Sequence, residues 1–267
     1  MLPQTWNRRM GIRVTDDASR RDGIAFLCAV TEEHLFERLA QSIGELERPE
    51  GVAVETFAVR GRMSLTHAHN LLMEQARDYK YKVYVHQDVT FLNRALIADL
   101  LVIFRRRTVG LVGTAGARFL PPSYVWWDGS GLYGNVLERY PDEAKLVAPL
   151  EQPAGEFQLV EGLDGHFLAT QYDLPWDEAI PGAEFYEIAQ CARFMLAGYE
   201  VVVPRQPEPW CFHDHTPPEE RNWVPYYEAR DVFAARYGER RDRFVRSRVR
   251  RRLRRGATRL HLAVGRP

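Results

Sequence analysis

The stretch Val83-Tyr84-Val85-His86-Gln87-Asp88-Val89 runs from apolar residues straight into three polar side chains. In an extended chain His86 and Asp88 fall on one face, so an imidazole and a carboxylate can approach one divalent cation or its water shell. Gln87 then points the other way. Taken alone, Asp88 serves equally well as the cap of the following turn. A second cluster, Cys211-Phe212-His213-Asp214-His215, follows the last apolar run. If extended, its Cys211, His213 and His215 share a face, as zinc ligands do, but no second ligand pair at zinc-finger spacing exists elsewhere. A histidine of this cluster completing the Asp88 site is the better reading, set against a hydrogen-bonded structural histidine.

Other candidates are scattered along the chain. Glu187 falls in the first turn of a helical stretch, on the side away from its apolar stripe, where a carboxylate is either a helix-dipole partner or a general base. Asp164, in Gly162-Leu163-Asp164-Gly165, is a turn residue or a polar group facing a ligand. Trp126 and Trp127 offer indole faces that can stack on a sugar or fill the core. Gly110, Gly113 and Gly116 do not form a dinucleotide fingerprint, because both their spacing and the strand they follow are wrong for it.

The elements that must hold these groups alternate apolar runs with helical patterns from residue 23 onward, which predicts βα units around a largely parallel, doubly wound sheet. Ile24 to Val30 is continuously apolar, as a strand covered on both faces would be, and Thr31 can cap the next helix, with Leu35, Leu39 and Ile43 inward. Val52 to Val59 reads as a second strand. Ser64 can cap a helix carrying Leu65, Ala68, Leu72 and Ala76 on one side, and Lys82 to His86 reads as the third strand. A helix over Arg94 to Arg106 leads to a strand at Val109 to Gly113. Ala115 to Glu156 shows little regular pattern, and loops of that length in a compact domain are usually functional. Phe157 to Leu163 and His166 to Thr170 resume regular structure. A helix from about Glu184 to Ala197 follows, with Phe185, Ile188, Ala192 and Met195 inward, then a last strand at Tyr199 to Val203.

The 267 residues are 45% hydrophobic and 27% charged, which excludes a disordered or membrane-embedded chain. No run approaches the roughly 20 apolar residues of a spanning helix. Arg8, Arg9, Arg13, Arg20 and Arg21 precede no signal-peptide core, and three cysteines suit a reducing compartment, so the expected location is cytoplasmic. The formal net charge of zero hides a segregation: 11 arginines against Glu239 and Asp242 between residues 239 and 259 leave 25 basic and 34 acidic residues elsewhere.

Taken in order, these segments resemble the glycosyltransferase-like domain of the streptomycin-biosynthesis type, a branch of the family 2 glycosyltransferases with the GT-A fold. The resemblance covers roughly residues 23 to 216. It is carried by Lys82-Val83-Tyr84-Val85-His86-Gln87-Asp88-Val89, the Trp126-Trp127 loop, Leu163-Asp164-Gly165-His166-Phe167-Leu168 running on to Trp176, and Gly198-Tyr199-Glu200-Val201-Val202-Val203-Pro204 running on to Asp214. It implies a nucleotide-sugar donor bound at the first strand and its loop, with Ala29, Val30, Asn70, Gln87 and Asp164 lining the donor site. A divalent metal, Mn²⁺ or Mg²⁺, would hold the diphosphate. Asp88 matches the last Asp of the Asp-X-Asp element, His86 stands where the first Asp would be, and His213 matches the histidine that completes the metal site. Glu187 aligns with the base of inverting relatives, where Asp is the commoner residue. Trp126, Trp127 and Asp128 would meet a sugar or lipid-linked glycan acceptor.

The resulting division is an arm at 1–22, the GT-A domain at 23–216 and a helical, arginine-rich segment at 217–267. In that segment Val245, Val249 and Leu253 form a narrow apolar stripe, so residues 240–259 suit an anionic membrane surface or packing against the acidic body. No base-reading module accompanies them, so nucleic acid is not the expected partner. Two rival functions are a non-catalytic nucleotide-sugar or glycan-binding module on a degenerate GT-A scaffold, and a metal-dependent hydrolase on a similar sheet.

Overall fold

The computed structural model describes residues 20–140, 143–146, 150–214, 222–242 and 245. The chain opens with β1 (Arg21–Val30), α1 (Glu33–Gly44), β2 (Ala53–Arg60), α2 (Leu65–Gln75) and β3 (Tyr79–Val85), the expected alternation. After β4 (Val89–Phe91), α3 (Leu96–Phe104) and β5 (Val109–Gly113), the stretch read as irregular proves structured. It holds β6 (Ala115–Phe119), a 3-10 turn at Trp126–Asp128, β7 (Ser130–Gly134), β8 (Leu137–Tyr140) and β9 (Glu143–Leu146). These strands are short, and β6 and β7 are interrupted by glycine, so no run of alternation was long enough to read. Then follow β10 (Phe157–Leu159), β11 (Gly162–Leu163), β12 (Phe167–Thr170), α4 (Tyr186–Leu196), β13 (Glu200–Pro204), β14 (Cys211–His213) and α5 (Val224–Phe233), which continues into a π-helical turn at Ala234–Gly238.

The central sheet has seven strands in the order β10-β13-β5-β12-β3-β1-β2. β1, β2, β3, β5 and β13 run one way, whereas β10 and β12 run against them. Side chains alternate along β1 as a doubly covered strand requires: Ile24, Phe26, Cys28 and Val30 enter one apolar cluster, and Ala25 and Leu27 the other. A three-stranded sheet, β11-β6-β7, and a four-stranded one, β4-β14-β8-β9, flank the carboxyl edge of the main sheet. The glycines 110, 113 and 116 are explained by packing. A Cβ at Gly110 would strike Phe194 and Tyr199, and one at Gly113 or Gly116 would strike Leu163.

Helix α4 lies between two cores. Tyr186, Cys191, Phe194 and Met195 pack toward the sheet, whereas Phe185, Ile188, Ala189 and Ala192 pack with Trp126 and with Tyr226, Ala229, Phe233 and Tyr237 of the carboxyl-terminal helix. The same helix is tied down by an ion pair between buried Arg241 and Glu161, and by Asp177, which accepts from Arg236 and Tyr237. Residues 222–242, assigned from sequence to an appended segment, therefore share a core with the domain. Midway along β3, Lys82 is fully buried against Asp173 at 2.8 Å and donates to the Tyr79 carbonyl at 2.8 Å, so its charge serves the fold. Among the described residues no helix is long and apolar enough to cross a membrane.

Candidate active site

The strand expected over Lys82 to His86 runs from Tyr79 and ends at Val85. His86 to Val89 form a turn, closed by the Val89 amide donating to the His86 carbonyl at 3.2 Å. Two neighbours fix this turn. The His86 amide donates to the His166 carbonyl at 3.0 Å at the start of β12, and the Asp214 amide donates to the Asp88 carbonyl at 2.9 Å just after β14. β14 pairs with β4 so that His213 stands opposite Val89. His213 Nε2 thereby comes to 3.6 Å from Asp88 Oδ1, with His86 Nδ1 on its other flank at 4.0 Å. One ligand atom each from His86, Asp88 and His213 lies within 4.8 Å of the others. The sequence pairing of His86 with Asp88 holds, although a turn rather than an extended strand brings them together.

The donor set fits a divalent cation. Asp88 Oδ1 is buried with no hydrogen-bond partner among the described residues, a costly state for a carboxylate oxygen unless a cation sits beside it. Burial would raise Asp88, but the imidazoles of His213 and His86 outweigh it and hold the carboxyl down at about 2. Burial lowers His86 to about 4 against the pull of Asp88, leaving a neutral imidazole with a lone pair to give. Burial would also lower His213, but Asp88 and Glu138 on its two sides raise it to about 9.

A second layer surrounds these three. Fully buried His166 stacks on His213 with ring centroids 4.8 Å apart, and its Nδ1 lies 3.0 Å from Asp164 Oδ1. Burial opposes charge on both partners. Their mutual attraction prevails, with His166 raised well above its usual range and Asp164 lowered, an imidazolium–carboxylate pair. Cys211 Sγ lies 3.4 Å from His166 Nε2, so this thiol faces His166; His215 lies outside the described residues. Asp214 is gripped by Arg38, at 2.8 Å, and by Arg139.

The start of α4 reaches the same place from the other side. Phe185 holds a left-handed backbone, φ 56°, which a buried phenylalanine adopts only under constraint from its surroundings. Next in sequence, the Tyr186 hydroxyl lies 2.6 Å from His86 Nε2. A Cβ at Gly165 would overlap that hydroxyl and come 3.3 Å from Glu187 Cβ, so Gly165 is what lets α4 close on the Asp164–His166 loop. Glu187 is buried, at 8% exposure, whereas the sequence set it on the outer side of its helix. The stripe expected inward, Phe185, Ile188 and Ala192, meets the carboxyl-terminal helix, and the opposite side, with Glu187, turns toward the sheet core and Gly165.

Several expected ligand-binding groups are already engaged. Gln87 Oε1 accepts from the Thr31 and Glu32 amides at 2.8 and 2.9 Å and so fixes the entry to α1, whose N-cap position is taken by Glu32 rather than by Thr31 as expected. Asn70 donates to the Trp176 carbonyl and to Glu178 and accepts from the Trp176 amide, which zips the segment before α4 onto α2. Val30 is buried and Ala29 half-buried where β1 ends beside this edge. Trp126 is buried in the core, whereas Trp127 is 39% exposed and packs against Trp223 and Tyr226; Asp128 is exposed. Tyr186, Glu138 and His166 were not singled out from the sequence. Tyr186 adjoins Glu187 and His166 lies two residues from Asp164 in the motif at 163–176, whereas Glu138 left no signal.

A family model described as "Glycosyltransferase like family" matches residues 25–237. No curated protein matches the sequence. Among solved structures, GalNAc-T7 with UDP, GalNAc and Mn²⁺ is similar at 10% identity and a TM-score of 0.52, covering 81% of this chain and 48% of that one. TarS of S. aureus is similar at 9% identity and a TM-score of 0.52, covering 84% of this chain and 42% of that one. A shorter form, TarS 1-349 in complex with UDP-GlcNAc, gives 9% identity, a TM-score of 0.50 and coverage of 80% and 66%. The likeness at these identities is one of fold, the GT-A fold, and this chain spans less than two thirds of each neighbour's length.

Proposed function

The chain belongs to the glycosyltransferase-like family, and on that premise we propose that it transfers a sugar from a nucleotide-sugar donor to a hydroxyl of a sugar or lipid-linked glycan, with inversion. The observation that carries the reading is the convergence of His86, Asp88 and His213 at the carboxyl edge of the sheet, where open α/β sheets bind ligands. The finer kinship to the streptomycin-biosynthesis type rests on the order of the sequence motifs alone.

In this reading the donor lies along the ends of β1 and β3, beside Ala29, Val30 and Asp164, while Gln87 and Asn70 act by holding the surrounding backbone. His86, Asp88 and His213 would hold a divalent cation, which supplies Lewis-acid stabilisation for the negative charge on the departing diphosphate. The acceptor oxygen bonds to the anomeric carbon as the bond from that carbon to the β-phosphate oxygen breaks. Glu187 takes the acceptor hydroxyl proton on the opposite face, and the nucleoside diphosphate leaves with the electron pair. Trp127 and Asp128 offer the acceptor an indole face and a carboxylate, with Trp126 buried beneath.

Two imidazole nitrogens and one carboxylate oxygen form a softer donor set than the all-oxygen sites Mg²⁺ prefers. Mn²⁺ is therefore expected to bind at least about ten-fold more tightly than Mg²⁺. Calorimetric titration of both ions reads this directly, and equal affinities would remove the imidazoles from the ligand set. Release of nucleoside diphosphate from UDP-, GDP- and dTDP-sugars in the presence of Mn²⁺ tests the transfer itself. Binding of a donor without release, under any acceptor supplied, would favour the non-catalytic module.

Membrane association through residues 240–259 belongs to the same proposal and rests on their arginine content, since most of that segment lies outside the described residues. Co-flotation with anionic but not zwitterionic liposomes is the expected result. Equal recovery on both would leave the packing of this segment against the acidic body as the surviving reading.

A further inference from the structure

A histidine that binds a cation gives one ring nitrogen to the ion and must carry its proton on the other, so the group facing the far nitrogen decides which tautomer is ready. The two histidines of the site face Asp88 with different nitrogens. His86 presents Nδ1 to Asp88 at 4.0 Å and Nε2 to the Tyr186 hydroxyl at 2.6 Å. His213 presents Nε2 to Asp88 at 3.6 Å and Nδ1 to Glu138 Oε1 at 3.8 Å, an ion-pair separation. A site needing opposite tautomers from its two imidazoles requires a separate partner behind each ring.

We infer that Tyr186 and Glu138 are the positioning residues of this centre: Tyr186 fixes His86 to bind through Nδ1, and Glu138 fixes His213 to bind through Nε2. The inference rests on the reading of His86, Asp88 and His213 as cation ligands. Each partner is held by the fold independently of the site. Glu138 is the residue of β8 directly opposite His213 in its parallel pairing with β14, so the sheet register alone brings the two side chains to one face. Tyr186 stands in the first turn of α4, behind the left-handed Phe185 and over the missing Cβ of Gly165. Its ring also packs against His69 and Trp176 at centroid distances of 5.4 and 5.8 Å, which leaves the hydroxyl one direction in which to point. Tyr186 adjoins Glu187, so the helix end that carries the proposed base also orients a cation ligand.

Mn²⁺ affinity, followed by the free-ion electron spin resonance signal, is the readout for wild type and for Tyr186→Phe, Glu138→Gln and Glu138→Leu. Tyr186→Phe keeps the ring and should weaken Mn²⁺ binding by about 10-fold, and Glu138→Leu by about 10- to 100-fold, the range for outer partners of metal-ligating histidines. Glu138→Gln keeps an acceptor oxygen and should fall between Glu138→Leu and wild type. A second readout needs no metal: ¹⁵N-histidine spectra of the metal-free protein should show His86 as the Nε2–H tautomer in wild type and a tautomer mixture in Tyr186→Phe, with the thermal midpoint unchanged. A purely structural role would move the midpoint and leave the tautomer alone. Wild-type affinity in all three variants, with an unchanged His86 tautomer, overturns the positioning roles while the cation site stands. Failure of wild type itself to bind Mn²⁺ overturns the site and these roles together.

Discussion

Asp88→Asn should abolish metal-dependent donor binding and lower kcat/KM by about three orders of magnitude, the scale of losing several kcal/mol of charge stabilisation in the transition state. The substitution preserves volume and the backbone carbonyl that accepts from the Asp214 amide, so the fold should persist, as circular dichroism would verify. It removes the one carboxylate of the set. Asparagine offers a neutral oxygen in place of an anion that His213 and His86 hold ionised down to about pH 2. Both histidines would remain, but imidazoles alone give a divalent cation no charge compensation. Undiminished turnover in Asp88→Asn would mean that catalysis does not pass through this centre.

Glu187→Gln should separate binding from chemistry: donor affinity unchanged, kcat reduced about 10²- to 10⁴-fold, the usual worth of a positioned general base. The alternative base nearby is Asp164, but His166 holds it in an ion pair that lowers its proton affinity, and a carboxylate so stabilised is a weak acceptor. Glu187 stands across Gly165 from that loop, in the first turn of α4, and Gln keeps its size while losing the basic oxygen. A loss confined to KM, or no loss, would take Glu187 out of the base role.

The order of βα units was legible because β1 is a continuous apolar run and α2 carries a cap, Ser64, which accepts from the His67 amide. The grouping of His86, Asp88 and His213 was legible as residue types, from His-X-Asp where an apolar run ends and from the histidines after the last strand. What the sequence hid were contacts made by partners distant in the chain. Glu138 meets His213 through a strand pairing in a stretch whose alternation is too short to read. Glu187 looked outward because the stripe of Phe185, Ile188 and Ala192 reads as facing the main core; that stripe packs with Tyr226, Phe233 and Tyr237, from a segment whose arginines drew attention to charge, and Glu187 turns toward Gly165. Gln87 and Asn70 carry polar groups at the right edge, yet their amides are engaged by α1 and by the Trp176 segment, a use of the side chain that spacing does not encode.

The central claim is that a nucleotide-sugar donor and a divalent cation bind together at Asp88. Thermal unfolding of the wild type and of Asp88→Asn, each with UDP-, GDP- and dTDP-sugars in the presence and absence of Mn²⁺, tests it most directly, because a ligand that binds the folded state raises the midpoint by mass action. The expected result is a rise for one nucleotide class that requires Mn²⁺ and is absent in the variant. A rise that persists without the metal, or equally in Asp88→Asn, would contradict the claim, as would no rise with any donor at saturating concentration.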